Sequence, residues 1–272
     1  MLIANAKYAV LLICPFTAIL TQPDDGQAKR LQSQIVFVNA EAVASKSPQP
    51  WAGKYIAGSH TGYTSVLEFA PTVGYLIETH AVRTTYETGA IVETTNKGMT
   101  ITRSARDVEG TSGLVGDHFY FVKWGDRRYV VPRDRMTAFC NAYNNDRLKD
   151  ADLDLFWVNA EDVCKAGAGT PRVDEAYERM LLTAPIAATV IKTSSLEEDR
   201  VNSKLVLTTG DAVIDAGAAQ GVRQGMEFVG KDNARMIVEK CEDNWSNCRF
   251  ISSLGVLPRV GERVVAGTRW NR

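Results

Sequence analysis

The sequence predicts a mainly β protein in which two antiparallel β-domains are joined by a helical connector. Three observations lead to this prediction. From residue 51, short segments alternate aromatic or β-branched residues with polar ones. Glycines and polar breaks separate these segments. A stretch of helical periodicity divides the segments into two groups. We therefore expect a β-barrel at 51–132, a helical connector at 133–184 and a small β-barrel or sandwich at 185–272.

The first 28 residues are typical of a secretory signal peptide. Lys7 precedes the apolar run 8–20, and Gly26 and Ala28 are small residues at positions −3 and −1 of a cleavage site. A membrane span needs about 20 apolar residues, so this run is too short. We expect a periplasmic or secreted protein without a membrane span after cleavage. A polar linker at 29–50 follows the signal peptide. The alternative interpretation of the apolar run is a buried N-terminal helix.

The charge balance argues against two classes of partner. The chain has 31 basic and 32 acidic residues, and removal of 1–28 takes away one Lys and two Asp, which leaves 30 of each. A nucleic-acid-binding surface and a basic segment for anionic lipid both need an excess of positive charge. We therefore expect neither kind of partner.

The first domain is predicted to be an antiparallel meander that is closed, or nearly closed, into a barrel. No helical segment interrupts its strands, and glycines fall between them at turn positions. The predicted strands are 51–59, 64–69, 73–82, 90–95, 99–103, 118–124 and 128–131.

The connector and the second domain follow from a change of period. Segments 133–144, 152–164 and 171–182 have helical spacing, and the first of them places Met136, Phe139, Cys140 and Tyr143 on one face. Residues 193–200, rich in serine and acid, are interpreted as a solvated loop. The glycines of 217–225 are interpreted as turn residues or points of close backbone approach, because the Lys-Ser/Thr of a phosphate-binding loop is missing. Predicted strands are 186–193, 201–208, 227–229, 234–240, 249–252 and 263–266.

Four cysteines remain after signal cleavage, which allows three pairings. Secreted proteins work in oxidising compartments, where disulfides persist. We expect sequential pairing, Cys140 with Cys164 and Cys241 with Cys248. A zinc site is the alternative, but the spacing of a CxxC pair is absent.

The densest aromatic cluster, at 118–132, supplies the candidate ligand site. Strand alternation places Phe119 and Phe121 on one face, with Tyr120 and Trp124 on the other, and His118 shares the face of Tyr120. One interpretation is an apolar cavity in which Tyr120, Trp124 and His118 bind a small ligand. A barrel interior filled by side chains is the other, and we favour it because small barrels are usually filled.

No sequence pattern indicates catalysis. The nucleophile motifs of hydrolases are missing. His80 lies two residues after Glu78, so both face one side of a strand and could contribute to a metal or acid–base site. We predict no enzyme activity, cofactor or metal; a small-molecule-binding barrel, hydrolytic or metal-binding through a histidine, is the alternative function.

Two regions resemble known bacterial proteins. The segment Trp51-Ala-Gly-Lys-Tyr55, the meander, and WGDRRYVVP at 124–132 followed by Phe139, Asn141 and Asn144 resemble uncharacterised envelope proteins with a lipocalin-like barrel. The patterns G-x-x-x-G-V-x-x-G-M at 217–226 and P-x-V-G-x-x-V at 258–264 resemble small β-domains of envelope assembly proteins, such as the C-terminal domain of flagellar assembly protein T.

These resemblances imply a lipocalin-like first barrel and a periplasmic setting. The function we expect is binding or scaffolding in the cell envelope, with an envelope protein or a small apolar ligand as the partner. Exposed β-edges of the C-terminal domain would be the docking sites.

Overall fold

The computed structural model describes residues 51–58, 64–70, 74–80, 84–103, 118–148, 156–200, 206–252 and 257–270. They form a mainly β fold with two closed antiparallel barrels, of eight and six strands, which confirms the predicted fold class. The signal peptide and linker predicted at 1–28 and 29–50 lie outside the described residues. Within the described ranges, no helix is long and apolar enough to cross a membrane.

The first barrel is a meander whose strands pair in chain order. Its strands are β1 Gly53–Gly58, β2 Thr64–Ala70, β3 Gly74–His80, β4 Thr84–Thr94, β5 Gly98–Arg103, β6 His118–Trp124, β7 Arg127–Pro132 and β8 Trp157–Asn159. β8 closes the barrel, because it pairs with β7 on one side and with β1 on the other.

Apolar side chains from alternate strand positions fill the interior of the first barrel. Tyr55, Leu67, Phe69 and Phe119 are fully buried there and belong to one cluster. Trp51 stacks on Phe121 with ring centroids 4.7 Å apart. The interior is therefore packed with side chains, as a small barrel is expected to be.

The helix predicted at 152–164 is wrong for the residues that the structure describes there, because 157–159 form β8. Phe156, Trp157 and Val158 are all buried. Trp157 faces the barrel interior, whereas Phe156 and Val158 face the outside, where a helix covers them. A strand that is buried on both faces shows no polar alternation, so its period cannot be distinguished from that of a helix.

The second barrel has the spatial order β10-β13-β12-β11-β14-β9. Its strands are β9 Ile186–Arg200, β10 Val206–Ile214, β11 Glu227–Val229, β12 Arg235–Cys241, β13 Ser246–Ser252 and β14 Arg263–Ala266. Its core includes Val190, Phe228, Met236 and Phe250. β9 continues through 193–200, the segment predicted to be a loop, because these residues pair with β10.

In the described part of the connector, two helices lie between the barrels: α1, Met136–Asn144, and α2, Glu175–Glu178. The helix predicted at 133–144 is confirmed as a 3-10 turn followed by α1. The longer helix predicted at 171–182 is wrong. Arg172 instead forms a β-bridge with Lys123, so the backbone stays extended until Asp174 caps α2.

Two glycines of 217–225 meet backbone requirements that other residues do not, in agreement with the prediction. A Cβ at Gly217 would overlap the carbonyl oxygen of Glu242, so only glycine allows this loop to meet the β12–β13 turn. Gly221 has φ +89°, in the left-handed region that favours glycine.

The predicted disulfides are not supported, because all four described cysteines are free thiols. Cys140 is buried at the second barrel, with its thiol 4.0 Å from the carbonyl oxygen of Tyr177, whereas Cys164 is exposed. Cys241 pairs with Ser246 across the β12–β13 hairpin, and Cys248 pairs with Val238. Cys241 and Cys248 are close in sequence because they lie on the two strands of a hairpin, and Cys140 and Cys164 both belong to the connector. Neither spacing reflects a bond between sulfurs.

Candidate functional site

The residues predicted to bind a ligand lie on the outer face of the first barrel. The predicted alternation of β6 is confirmed: Phe119 and Phe121 point into the interior. Tyr120 and Trp124 pack on the outside, against the segments that connect the barrels. The structure therefore places these two side chains outside the filled interior.

Each of the predicted ligand-binding side chains contacts protein. The rings of His118 and Tyr120 lie edge to face at 4.7 Å, and Tyr120 meets Tyr177 of α2 at 5.5 Å. Trp124 is buried and donates from Nε1 to the carbonyl oxygen of Gly169 at 3.0 Å. The contacts of Tyr120 with Tyr177 and of Trp124 with Gly169 attach the connector to the barrel, and no described contact favours a ligand role.

Glu78 and His80 share one face of β3, as predicted. His80 Nε2 lies 3.1 Å from Glu78 Oε1, and His80 Nδ1 lies 3.1 Å from Thr84 Oγ1. Both ring nitrogens are therefore engaged by protein atoms. Among the described residues, no three His, Cys, Asp or Glu side chains are close enough to hold a metal ion.

A buried carboxylate organises the turn that follows β8. Asp162 accepts hydrogen bonds from Arg128 Nε at 2.6 Å and from Lys165 Nζ at 2.5 Å. Although burial alone would raise the pKa of Asp162, these bonds hold that pKa below its ordinary value. Because Arg128 belongs to β7, this cluster fixes the connector to the β6–β7 hairpin.

A second buried carboxylate lies on the outer face of β2. Glu68 has its Oε1 3.6 Å from Lys54 Nζ, and among the described residues its Oε2 has no hydrogen-bond partner. Burial raises the pKa of Glu68, and Lys54 opposes this effect. The ionised form of Glu68 is therefore incompletely compensated.

One face of α1 fixes the second barrel through asparagine side chains that sequence reasoning missed. Asn141 Nδ2 donates to the carbonyl oxygen of Gly225 at 2.8 Å, and Asn141 Oδ1 accepts from the amide of Glu227 at 3.0 Å. Asn144 makes the same kind of pair with Met180 and Leu182. Each amide uses both its donor and its acceptor, so these buried groups are satisfied.

Asn145, which follows α1, completes this junction. Its Oδ1 accepts from the amides of Gly267 and Thr268, both at 3.1 Å. Its Nδ2 donates to Glu227 Oε1 at 3.3 Å, and Arg147 binds the same oxygen at 2.5 Å. The opposite face of α1 packs against apolar side chains on the outer face of the first barrel. Because the contacts on both faces are buried, α1 fixes the barrels relative to each other.

The candidate docking site is the edge of β9. β14 pairs with β9 only from Ile186 to Thr189, and Val190 bonds to the turn before β14. Residues 191–200 pair with β10 on one side; among the described residues, no strand pairs with their other side. We call this unpaired side the β9 edge. Within the described ranges its backbone donors and acceptors have no strand partner, so another extended chain can use them.

No protein-family model matches the chain, and neither a curated protein nor a solved structure matches it. The resemblances to lipocalin-like envelope proteins and to flagellar assembly protein T therefore stay predictions.

Proposed function

We propose that this chain is a non-enzymatic periplasmic or secreted protein of the bacterial cell envelope that binds or scaffolds a protein partner. The observation that supports this function best is the β9 edge, which extends beyond the part of β9 that β14 covers. Edge strands of this kind accept an added strand, with backbone hydrogen bonds for affinity and side-chain contacts for specificity.

The sequence of the β9 edge favours a basic partner. Glu197, Glu198 and Asp199 stand in consecutive positions near its end, and Glu197 is exposed. An added strand with Lys or Arg opposite Glu197 gains a favourable cross-strand pair, whereas an acidic strand is repelled. Register shifts in the β9–β10 pairing also make the edge irregular, and irregular, charged edges resist indiscriminate pairing.

The junction at α1 supports the scaffolding part of the proposal. A scaffold must hold its binding surfaces at fixed relative positions. Asn141, Asn144 and Asn145 are all at least nine-tenths buried and bind backbone groups of the segments next to α1. A partner bound at the β9 edge is therefore held at a defined position relative to the first barrel.

The compartment is tested by fractionating the native host and sequencing the N-terminus of the mature chain. Export with cleavage after Ala28 is the expected result. A chain that keeps residues 1–28 and stays in the cytoplasm would overturn the envelope role.

Binding at the β9 edge is tested with the tagged full chain, expressed in the native host and cross-linked before purification. The variant carries Glu197→Lys, Glu198→Lys and Asp199→Lys. The matched control is Glu178→Lys, an exposed acidic residue of α2. Quantitative mass spectrometry is expected to show partners that wild type and control share and that the triple variant loses; identical partner sets for all three proteins would contradict docking at this edge.

A further inference from the structure

The outer face of the β12–β13 hairpin carries two exposed isoleucines where strand alternation would place polar residues. Ile237 is 38% exposed and Ile251 is 63% exposed, whereas their neighbours Met236 and Phe250 are buried in the barrel core. Ile237 pairs with Arg249, so Ile251 is its diagonal neighbour, about 7–8 Å away on the same face. A single exposed isoleucine is ordinary, but two neighbouring ones on one face form a small apolar patch.

Charged residues of both signs surround this patch. Arg235 and Arg249 alternate with the isoleucines, Asp211 of β10 pairs in register with Arg249, and Glu239 is exposed at the irregularity of β12. Arg235 Nε lies 3.5 Å from Asn233 Oδ1. In the part of the chain that the structure describes, none of these four charged side chains forms an ion pair. The face thus has two positive and two negative groups available to a partner.

The geometry points to a second copy of this chain as the occupant: two molecules pack the face formed by Asp211, Arg235, Ile237, Glu239, Arg249 and Ile251 against its own counterpart. A two-fold axis brings identical faces together, so such a face must be complementary to itself. Two arginines and two carboxylates around an apolar centre meet this condition. A partner of one dominant charge would meet repulsion from half of the groups.

Packing of this kind is sheet on sheet. The outer faces of two β12–β13 hairpins lie about 10 Å apart, so that Ile237 and Ile251 are removed from water. Arg249 of one molecule reaches Asp211 of the other, and the symmetry repeats the contact. This dimer leaves the β9 edge unoccupied and does not depend on the envelope role.

The test is sedimentation velocity of the full chain over a micromolar to sub-millimolar range. The expected result is a concentration-dependent dimer that Ile251→Ser weakens about thirtyfold or more, as expected for a residue central to an interface. Val260→Ser is the matched control, since Val260 is also 63% exposed but lies in the turn before β14, outside both this face and the β9 edge. A monomer at every concentration, or equal weakening by both substitutions, would overturn the inference.

The contact between Arg249 of one molecule and Asp211 of the other is tested by exchanging the two charges. Arg249→Asp alone and Asp211→Arg alone each place like charges opposite one another and are expected to weaken the dimer. The double variant restores opposite charges and is expected to restore dimerisation. A double variant that is as weak as the single variants would contradict the contact between Arg249 and Asp211. Because all these positions are at the surface, we expect the variants to have the denaturation curve of the wild-type protein. This measurement checks that the fold is intact.

Discussion

Asn141→Ala should weaken the junction between the barrels more than any other single amide substitution in α1. The side chain is 4% exposed and makes two hydrogen bonds, to the carbonyl oxygen of Gly225 and from the amide of Glu227. Alanine removes both bonds and leaves both backbone groups buried without these partners. Each orphaned group costs about 1–3 kcal/mol, so we expect a loss of about 3 kcal/mol in the free energy of unfolding. Domain stabilities are about 5–15 kcal/mol, so this loss is large.

The assay for Asn141→Ala is urea unfolding followed by tryptophan fluorescence and circular dichroism, combined with hydrogen exchange. We expect a lower midpoint, separation of the two transitions as the barrels become less coupled, and faster exchange of the Glu227 amide. Asn244→Ala is the control, because Asn244 is exposed in the β12–β13 turn. If the Asn141 variant stays within about 0.5 kcal/mol of that control, the reasoning about buried amide bonds is refuted.

Three further predictions concern charge and thiols. Asp162→Asn is expected to lower the free energy of unfolding by about 2–3 kcal/mol at neutral pH. Because hydrogen bonds lower the pKa of Asp162 in the folded state, this difference from wild type should shrink as the pH falls through that pKa. A difference in denaturant titrations that does not change with pH would contradict this prediction. Glu68→Gln is expected to stabilise the protein above neutral pH, since burial raises the pKa of Glu68; the gain should disappear as the pH falls towards the unfolded value of about 4.3, and a gain that persists in acid would refute this explanation. Maleimide should label the exposed Cys164 in native protein, but Cys140 and Cys248 only after unfolding, because burial raises the pKa of both thiols to about 12; a cross-linked Cys140–Cys164 peptide in an unreduced digest would contradict the free thiols.

Period-two alternation predicted most strands of the first barrel, because these strands have one face in the interior and another that is at least partly polar. β6, at His118–Trp124, matches its prediction at both ends. β8 could not be found in this way, because a strand buried on both faces has no alternation. The acidic residues of β9 indicated a loop, and only their pairing with β10 makes them part of a strand.

The junction was visible in the sequence only in part. Asn141, Asn144 and Asn145 stand at i, i+3 and i+4, a spacing that places them on one helical face. Helical periodicity identified the apolar face of α1, but it assigned no role to the asparagines. Their partners belong to segments distant in the chain, such as Gly225 and Gly267, and local periodicity contains no information about such contacts.

The closure of the first barrel by β8 constrains the order in which the chain can fold. β1 has its second partner only when Trp157–Asn159 have been synthesised, because Tyr55 pairs with Asn159. Until then β1 and β7 are sheet edges that can associate with other chains, and contacts between residues so distant in sequence form slowly. A fragment that ends at Pro132 contains seven of the eight strands but cannot close, so the shortest N-terminal unit able to fold extends through Asn159.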